Sequence, residues 1–186
     1  MSTILTVGHS NRPIEAFLAL LAEARVEAVA DVRTAPVSRY ATWFDAAPLS
    51  AALRRVGIAY VPMPEVGGRP NDPALYLPDG FLSYHALRAT PAWHSGLERL
   101  VKGAARMRIA VMCSEEDPAG CHRRLAIAPD LATRGLEVEH LRADGRHQSE
   151  AELVTEVAAR APAERRRIEE ALVAGRSVRV IRAPAA

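Results

Sequence analysis

The densest run of reactive side chains lies between residues 113 and 124, Cys-Ser-Glu-Glu-Asp-Pro-Ala-Gly-Cys-His-Arg-Arg. The apolar stretch Ile109 to Met112 reads as a buried strand that delivers Cys113, and a helix reads from about Gly120 to Arg134. A cysteine at a helix N-terminus beside His122 and Arg123 should have its thiolate stabilised, and either Cys113 or Cys121 is a candidate nucleophile. The same helix end, with free N–H groups and two arginines, is a plausible anion site. Glu115 is a candidate general acid or base, and Glu116 and Asp117 offer further carboxylates.

Three familiar arrangements fail here. A phosphatase-type cradle needs Arg six residues after its Cys, where Ala119 stands. A redox pair needs two residues between its cysteines, and Cys113 and Cys121 are separated by seven. Structural zinc favours short cysteine spacings, so no metal ligands are assigned. A site of Cys113, Cys121 and His122 with His9 or His140 stays open, beside the reading of both cysteines as small buried packing residues.

Two further clusters end apolar runs. Gly8-His9-Ser10 follows Thr3 to Val7, giving a tight turn that presents an imidazole and a hydroxyl. Asp31-Val32-Arg33 ends a second run and places opposite charges two apart, on one side of a strand. Asp31 either pairs with Arg33 structurally or orients it to hold an anion, with Arg39 adding weak support. In the Pro-rich segment from Pro62 to Gly80, Gly67 and Gly68 let backbone approach a ligand and Arg69 closes over it; Tyr84 lines the same mouth. His85 and His94 carry less weight, as members of helical stretches.

The elements that must position these groups alternate. Strands are expected near 3–7, 26–32, 58–61, 108–113 and 136–141, with helices between them. Ser149 with Glu152 forms a capping box for a final helical region. The expected fold is α/β, a single-domain three-layer sandwich with a mostly parallel, Rossmann-like sheet and helices on both faces. Ligands bind such sheets beyond the strand C-terminal ends, where all three polar clusters fall. Residues 1–148 are expected to form the α/β domain, and 149–186 a helical, basic extension.

Composition bounds the partners. The 186 residues are 49% hydrophobic, enough for a full core, and the formal net charge of +2 does not by itself argue for nucleic acid. Charge is uneven, with seven arginines (160, 165, 166, 167, 176, 179, 182) against three glutamates (164, 169, 170) near the C-terminus. Two cysteines do not make a secreted disulfide scaffold, no basic leader precedes Ile4, and no apolar run nears the ~20 residues of a membrane helix. A cytoplasmic protein with no membrane partner is expected.

Taken together, Thr6-Val7-Gly8-His9-Ser10-Asn11, Asp31-Val32-Arg33 with Pro36 and Ser38, Gly57-Ile58-Ala59-Tyr60, Val66-Gly67-Gly68 and the run from Cys113 to Arg124 occur in one order. In this the chain resembles the bacterial and archaeal domain-of-unknown-function 488 family, from about residue 3 to His140. Val66 stands where that family usually has Leu. The resemblance implies a compact α/β domain and one site at these motif positions, and it supplies no reaction.

The leading expectation is an enzyme acting on a small anionic substrate, nucleotide-like or phosphorylated. Arg33 and Arg123 would hold the anion, with Ser10, Arg39, Gly67, Gly68, Arg69, Tyr84 and His122 around it. His9 and Glu115 would move protons, Asp31 would orient its neighbours, and Cys113 or Cys121 would serve as nucleophile. One alternative is a module that binds a nucleotide or nucleic acid without chemistry. The other is a thiol-based redox or metal protein centred on the two cysteines.

Overall fold

Alternation along the strands decides which side chain meets which layer. The computed structural model describes residues 2–181, so Arg182, last of the basic-segment arginines, lies outside the described residues. Six strands form one sheet in the order β3-β2-β4-β1-β5-β6: β1 (Ser2–Gly8), β2 (Ala28–Asp31), β3 (Ala59–Pro62), β4 (Ile109–Cys113), β5 (Leu136–Leu141) and β6 (His147–Ser149). All neighbours are parallel except β6, which runs antiparallel to β5.

On one face, Leu5, Val7, Val29, Ala110 and Met112 pack with Phe17 and Leu21 of α1 (Ile14–Glu23) and Leu49 and Leu53 of α2 (Ala46–Arg55). On the other, Ile4, Ala28, Ala30, Ile109, Val111 and Cys113 face Leu87 of α3 (Tyr84–Arg88), Trp93, Leu97 and Leu100 of α4 (Pro91–Ala104) and Leu131 of α5 (Ala128–Ala132). The period of two that buries a parallel strand on both faces thus generates the three-layer α/β sandwich. Each fully buried large aliphatic or aromatic side chain contributes about 1.5–3 kcal/mol of transfer free energy.

Local chemistry sets the helix ends. The Thr90 hydroxyl accepts from Trp93 N and Pro91 opens α4. Ser149 and Glu152 form the capping box of α6 (Glu150–Ala158). Gly175 closes α7 (Pro162–Ala174) in the left-handed region at φ 58°. The segment expected as one helix from Gly120 to Arg134 instead holds a π-helical turn over Arg123–Ile127 before α5. That turn buries both Arg123 and Arg124, which an unbroken amphipathic pattern does not anticipate.

The C-terminal segment returns to the domain. Ile168 of α7 joins Leu153, Val157 and Ala119 in a small apolar cluster, and Ala171 reaches the main core. Ser177 N donates to Leu82 O at 3.0 Å, and Ser177 Oγ accepts from Leu82 N at 3.0 Å. No helix among the described residues is long and apolar enough to cross a membrane.

Candidate functional site

Strands β1, β2 and β4 end side by side, and their register places Gly8 opposite Cys113 and Asp31 opposite Met112. His9 N donates to Cys113 O at 3.0 Å and Ser10 N to Ser114 O at 2.9 Å, so the two loops leave the sheet stitched together. A Cβ at Gly8 would stand 1.8 Å from Glu115 O, which only glycine avoids. Ser10 adopts φ 51°, a left-handed conformation uncommon for a non-glycine residue.

The sheet divides the sequence-identified residues between its faces. On the α1/α2 face, the Asp31 carboxylate accepts from Arg33 Nε at 2.8 Å and Nη2 at 2.6 Å, and also from the Tyr60 hydroxyl at 2.7 Å. Arg33 Nη2 also donates to Phe44 O, and Nη1 lies 3.1 Å from His9 Nε2. Since arginine can only donate, His9 Nε2 is an acceptor and its proton sits on Nδ1, 2.7 Å from Ser10 O. Burial, outweighing the Ser10 bond, pushes His9 down to about 4, so the ring is neutral at pH 7.

On the opposite face, His122 Nδ1 lies 3.8 Å from Cys113 Sγ and 3.7 Å from Cys121 Sγ, and the three atoms are mutually within 4.8 Å. Arg123 Nε donates to Cys121 Sγ at 3.4 Å; its other nitrogens reach Thr6 Oγ1 and the carbonyls of Glu115 and Glu116. The easily ionised thiol is Cys113 rather than Cys121, correcting the expectation from the helix start. A hydrogen bond from Cys121 brings Cys113 down to about 7, whereas complete burial lifts Cys121 to about 11. Burial, then the neighbouring Cys121, raises Glu115 to about 7.

Beyond these groups opens a cavity of about 840 Å³. Of the residues singled out in the sequence, Arg33, Gly68, Arg69, Tyr84, Cys113, Glu115 and His122 line it. His9, Ser10, Asp31, Arg39, Gly67, Cys121 and Arg123 do not: His9, Asp31, Cys121 and Arg123 are buried, and Arg39 is exposed. The sequence reading missed Thr34 and, more importantly, Arg167 and Arg179 as wall residues. Their trace was the arginine excess near the C-terminus, which nothing in the local sequence directs to this cavity.

The wall charges are not balanced alike. Glu116 is held by Arg142, and Asp117 and Glu164 by Arg160. Among the described residues, no carboxylate pairs with Arg69, Arg167 or Arg179.

Against known proteins, a family model described as a domain of unknown function, DUF488, matches residues 13–128, more than half of the chain. The chain belongs to the DUF488 family. The matched span includes α1 and the loop from Cys113 to Arg124 and stops before α6 and α7. Comparison of this DUF488 chain with curated proteins and with solved structures gives no match.

Proposed function

We propose that this protein is an enzyme acting on a small anionic substrate, nucleotide-like or phosphorylated, held in the cavity at the strand C-terminal ends. The observation that carries this reading is the surplus of uncommitted cation on the wall. Arg69, Arg167 and Arg179 form no salt bridge among the described residues, while Glu116, Asp117 and Glu164 are occupied by Arg142 and Arg160. Glu115, the remaining wall acid, is raised to about 7 by burial although Arg179 acts to lower it. Guanidinium groups at a concave mouth suit a phosphate or carboxylate, which they bind through paired N–H donors. The volume of about 840 Å³ falls in the range of small-ligand sites.

The roles differ from the simplest sequence assignment. Arg123 is enclosed, its donors already engaged, and serves as framework. Arg33 reaches the wall but is locked to Asp31, so it presents a fixed positive edge. Anion capture falls to Arg69, Arg167 and Arg179, while Cys113, Glu115 and His122 supply the reactive groups on the floor.

A purely nucleic-acid role is less well supported. Of the basic-segment arginines, Arg160 is tied to Asp117, Glu156 and Glu164, and Arg176 lies over the Phe81 ring at 3.7 Å.

The test is the melting temperature against nucleoside phosphates, sugar phosphates and short oligonucleotides. A ligand at 100 times its dissociation constant stabilises by about 2.7 kcal/mol, which for a chain of this size raises melting by on the order of 5 °C. The shift should vanish in the double variant Arg69→Ala/Arg179→Ala. A panel without any shift overturns the proposal.

A further inference from the structure

Two sulfurs and one imidazole nitrogen converge from a strand end and the turn that follows its loop; the anion reading places Cys113 and His122 on the cavity floor but gives Cys121, and the meeting of the three atoms, no task. Cys121 is fully buried, so its thiol cannot meet a substrate. His122 Nδ1 sits almost equally far from both sulfurs, at 3.8 and 3.7 Å. His122 Nε2 is buried with no hydrogen-bond partner. Cys113 and His122 are each 8% exposed.

We propose that Cys113 Sγ, Cys121 Sγ and His122 Nδ1 bind one thiophilic divalent cation, with zinc as the natural occupant, and leave its fourth position open to the cavity.

The distances fit the metal. Zinc bonds of about 2.3 Å to sulfur and about 2.0 Å to nitrogen, in tetrahedral geometry, set ligand atoms about 3.5–3.8 Å apart. The two sulfur–nitrogen separations already have these values, and all three atoms lie within 4.8 Å, so little movement is required. Two thiolates and an imidazole are soft and borderline donors that favour zinc over magnesium or calcium.

The surroundings hold the ligands in place. Arg123 Nε donates to Cys121 Sγ, the kind of outer hydrogen bond that fixes a ligating sulfur. Gly68 lies against the His122 ring; a Cβ there would come within 2.7 Å of Nδ1, so the glycine leaves room for the imidazole in this orientation. His9 and His140 do not complete the set. The first bonds Ser10 O and Arg33, and the second places Nδ1 on Thr6 Oγ1 and Nε2 near Glu150.

Three protein ligands with an open fourth position is the pattern of catalytic rather than structural zinc. Cys113 and His122 both line the cavity, so that position is where water or a substrate atom enters. On binding, two metal–sulfur bonds form, and the two thiol protons pass to the buffer.

The experiment titrates the full chain, stripped with chelator and kept reduced, with Co²⁺ as a spectroscopic probe and no anion present. One equivalent should develop a thiolate-to-cobalt charge-transfer band and the intense visible bands of tetrahedral cobalt, both erased by one equivalent of Zn²⁺. Cys113→Ser and His122→Gln, each checked for folding by circular dichroism, should weaken cobalt binding at least tenfold, with Cys113→Ser also losing about half of the charge-transfer intensity. Absence of the band with both thiols reduced overturns the proposal, as does a band unchanged in both folded variants. A Cys113–Cys121 disulfide in a chain that binds no cobalt once reduced also overturns it and assigns the pair to redox chemistry. Because no anion is present, failure here leaves the small-anion reading untouched, and failure of the anion panel leaves this one untouched.

Discussion

Asp31 grips Arg33 through both carboxylate oxygens, at 2.8 and 2.6 Å, with neither side chain more than 4% exposed. A buried pair of this kind stabilises little relative to an apolar substitute, but breaking it is costly. Asp31→Asn should therefore lower unfolding free energy by about 3–5 kcal/mol, because the guanidinium stays buried without its counter-charge. The double variant Asp31→Asn/Arg33→Gln should lose less than the sum of the single changes. Urea unfolding of the four proteins checks this, and strict additivity would refute the coupling.

His9 gives the protein an acid-sensitive element. Its folded value of about 4 lies below the unfolded value of 6.5, so the ring is neutral in both states above about pH 6.5 and contributes no pH dependence there. Between 6.5 and 4 the unfolded chain takes up a proton that the folded chain refuses. Stability therefore falls as pH falls, by about 3 kcal/mol in total. The groups facing the ring are Arg33, Asp31 and Arg123, and burial outweighs them all. His9→Gln should flatten the slope between pH 6.5 and 4 by up to one proton, measured as urea midpoints against pH relative to wild type.

Gly8→Ala places a methyl group against Glu115 backbone, 1.8 Å from its oxygen without relaxation. The loop after β4 must then move, at a cost of about 3 kcal/mol. A melting temperature lower by about 5–10 °C is expected. A wild-type melting temperature in Gly8→Ala would show that the two loops are not in contact as described.

A chain ending at Gln148 tests how far the C-terminal segment is separable. It would lose Ile168 and Ala171 from the apolar clusters and the Ser177 bonds to Leu82, and it would strip Arg124 of Glu150. Arg124 is 3% exposed, so its charge would be left without a carboxylate. We expect this truncated chain to be recovered largely insoluble, or to unfold without a cooperative transition, while the full chain unfolds in one step.

Much of the fold was legible because burial on both faces leaves a plain trace. The runs Thr3 to Val7, Val26 to Val32 and Ile109 to Cys113 are rich in aliphatic and β-branched residues, and each became a central strand. Ser149 and Glu152 announced their helix through a capping box whose bonds are all local, each side chain reaching the other's backbone N–H. The three-residue β6 left no such trace, being set by pairing with β5 rather than by its own residues.

Half of the fourteen residues expected at the site line the cavity, and their arrangement left no trace in the sequence. Asp31, Arg33, Cys113 and His122 could be marked from residue type and strand end. Their division between two faces depends on register, since Asp31 pairs with Met112 and Cys113 with Gly8. The expectation of a stabilised Cys121 thiolate failed because the sequence showed Cys121 beside charge and could not show it sealed from solvent. Arg167 and Arg179 reach the wall through the return of the chain past Leu82, a long-range contact with no local pattern.

The two hydrogen bonds from His9 and Ser10 to the backbone of Cys113 and Ser114 act as a splint across the sheet. On one side lie the His9 imidazole, stacked on the Phe44 ring at 4.3 Å, and the Asp31–Arg33 pair; on the other lie the thiols. Because these bonds join main chains, they do not depend on which side chains His9, Ser10, Cys113 and Ser114 carry. The cysteine loop can therefore change its chemistry in descent while its scaffold stays fixed, and a displacement of the His9 turn must carry the thiols with it.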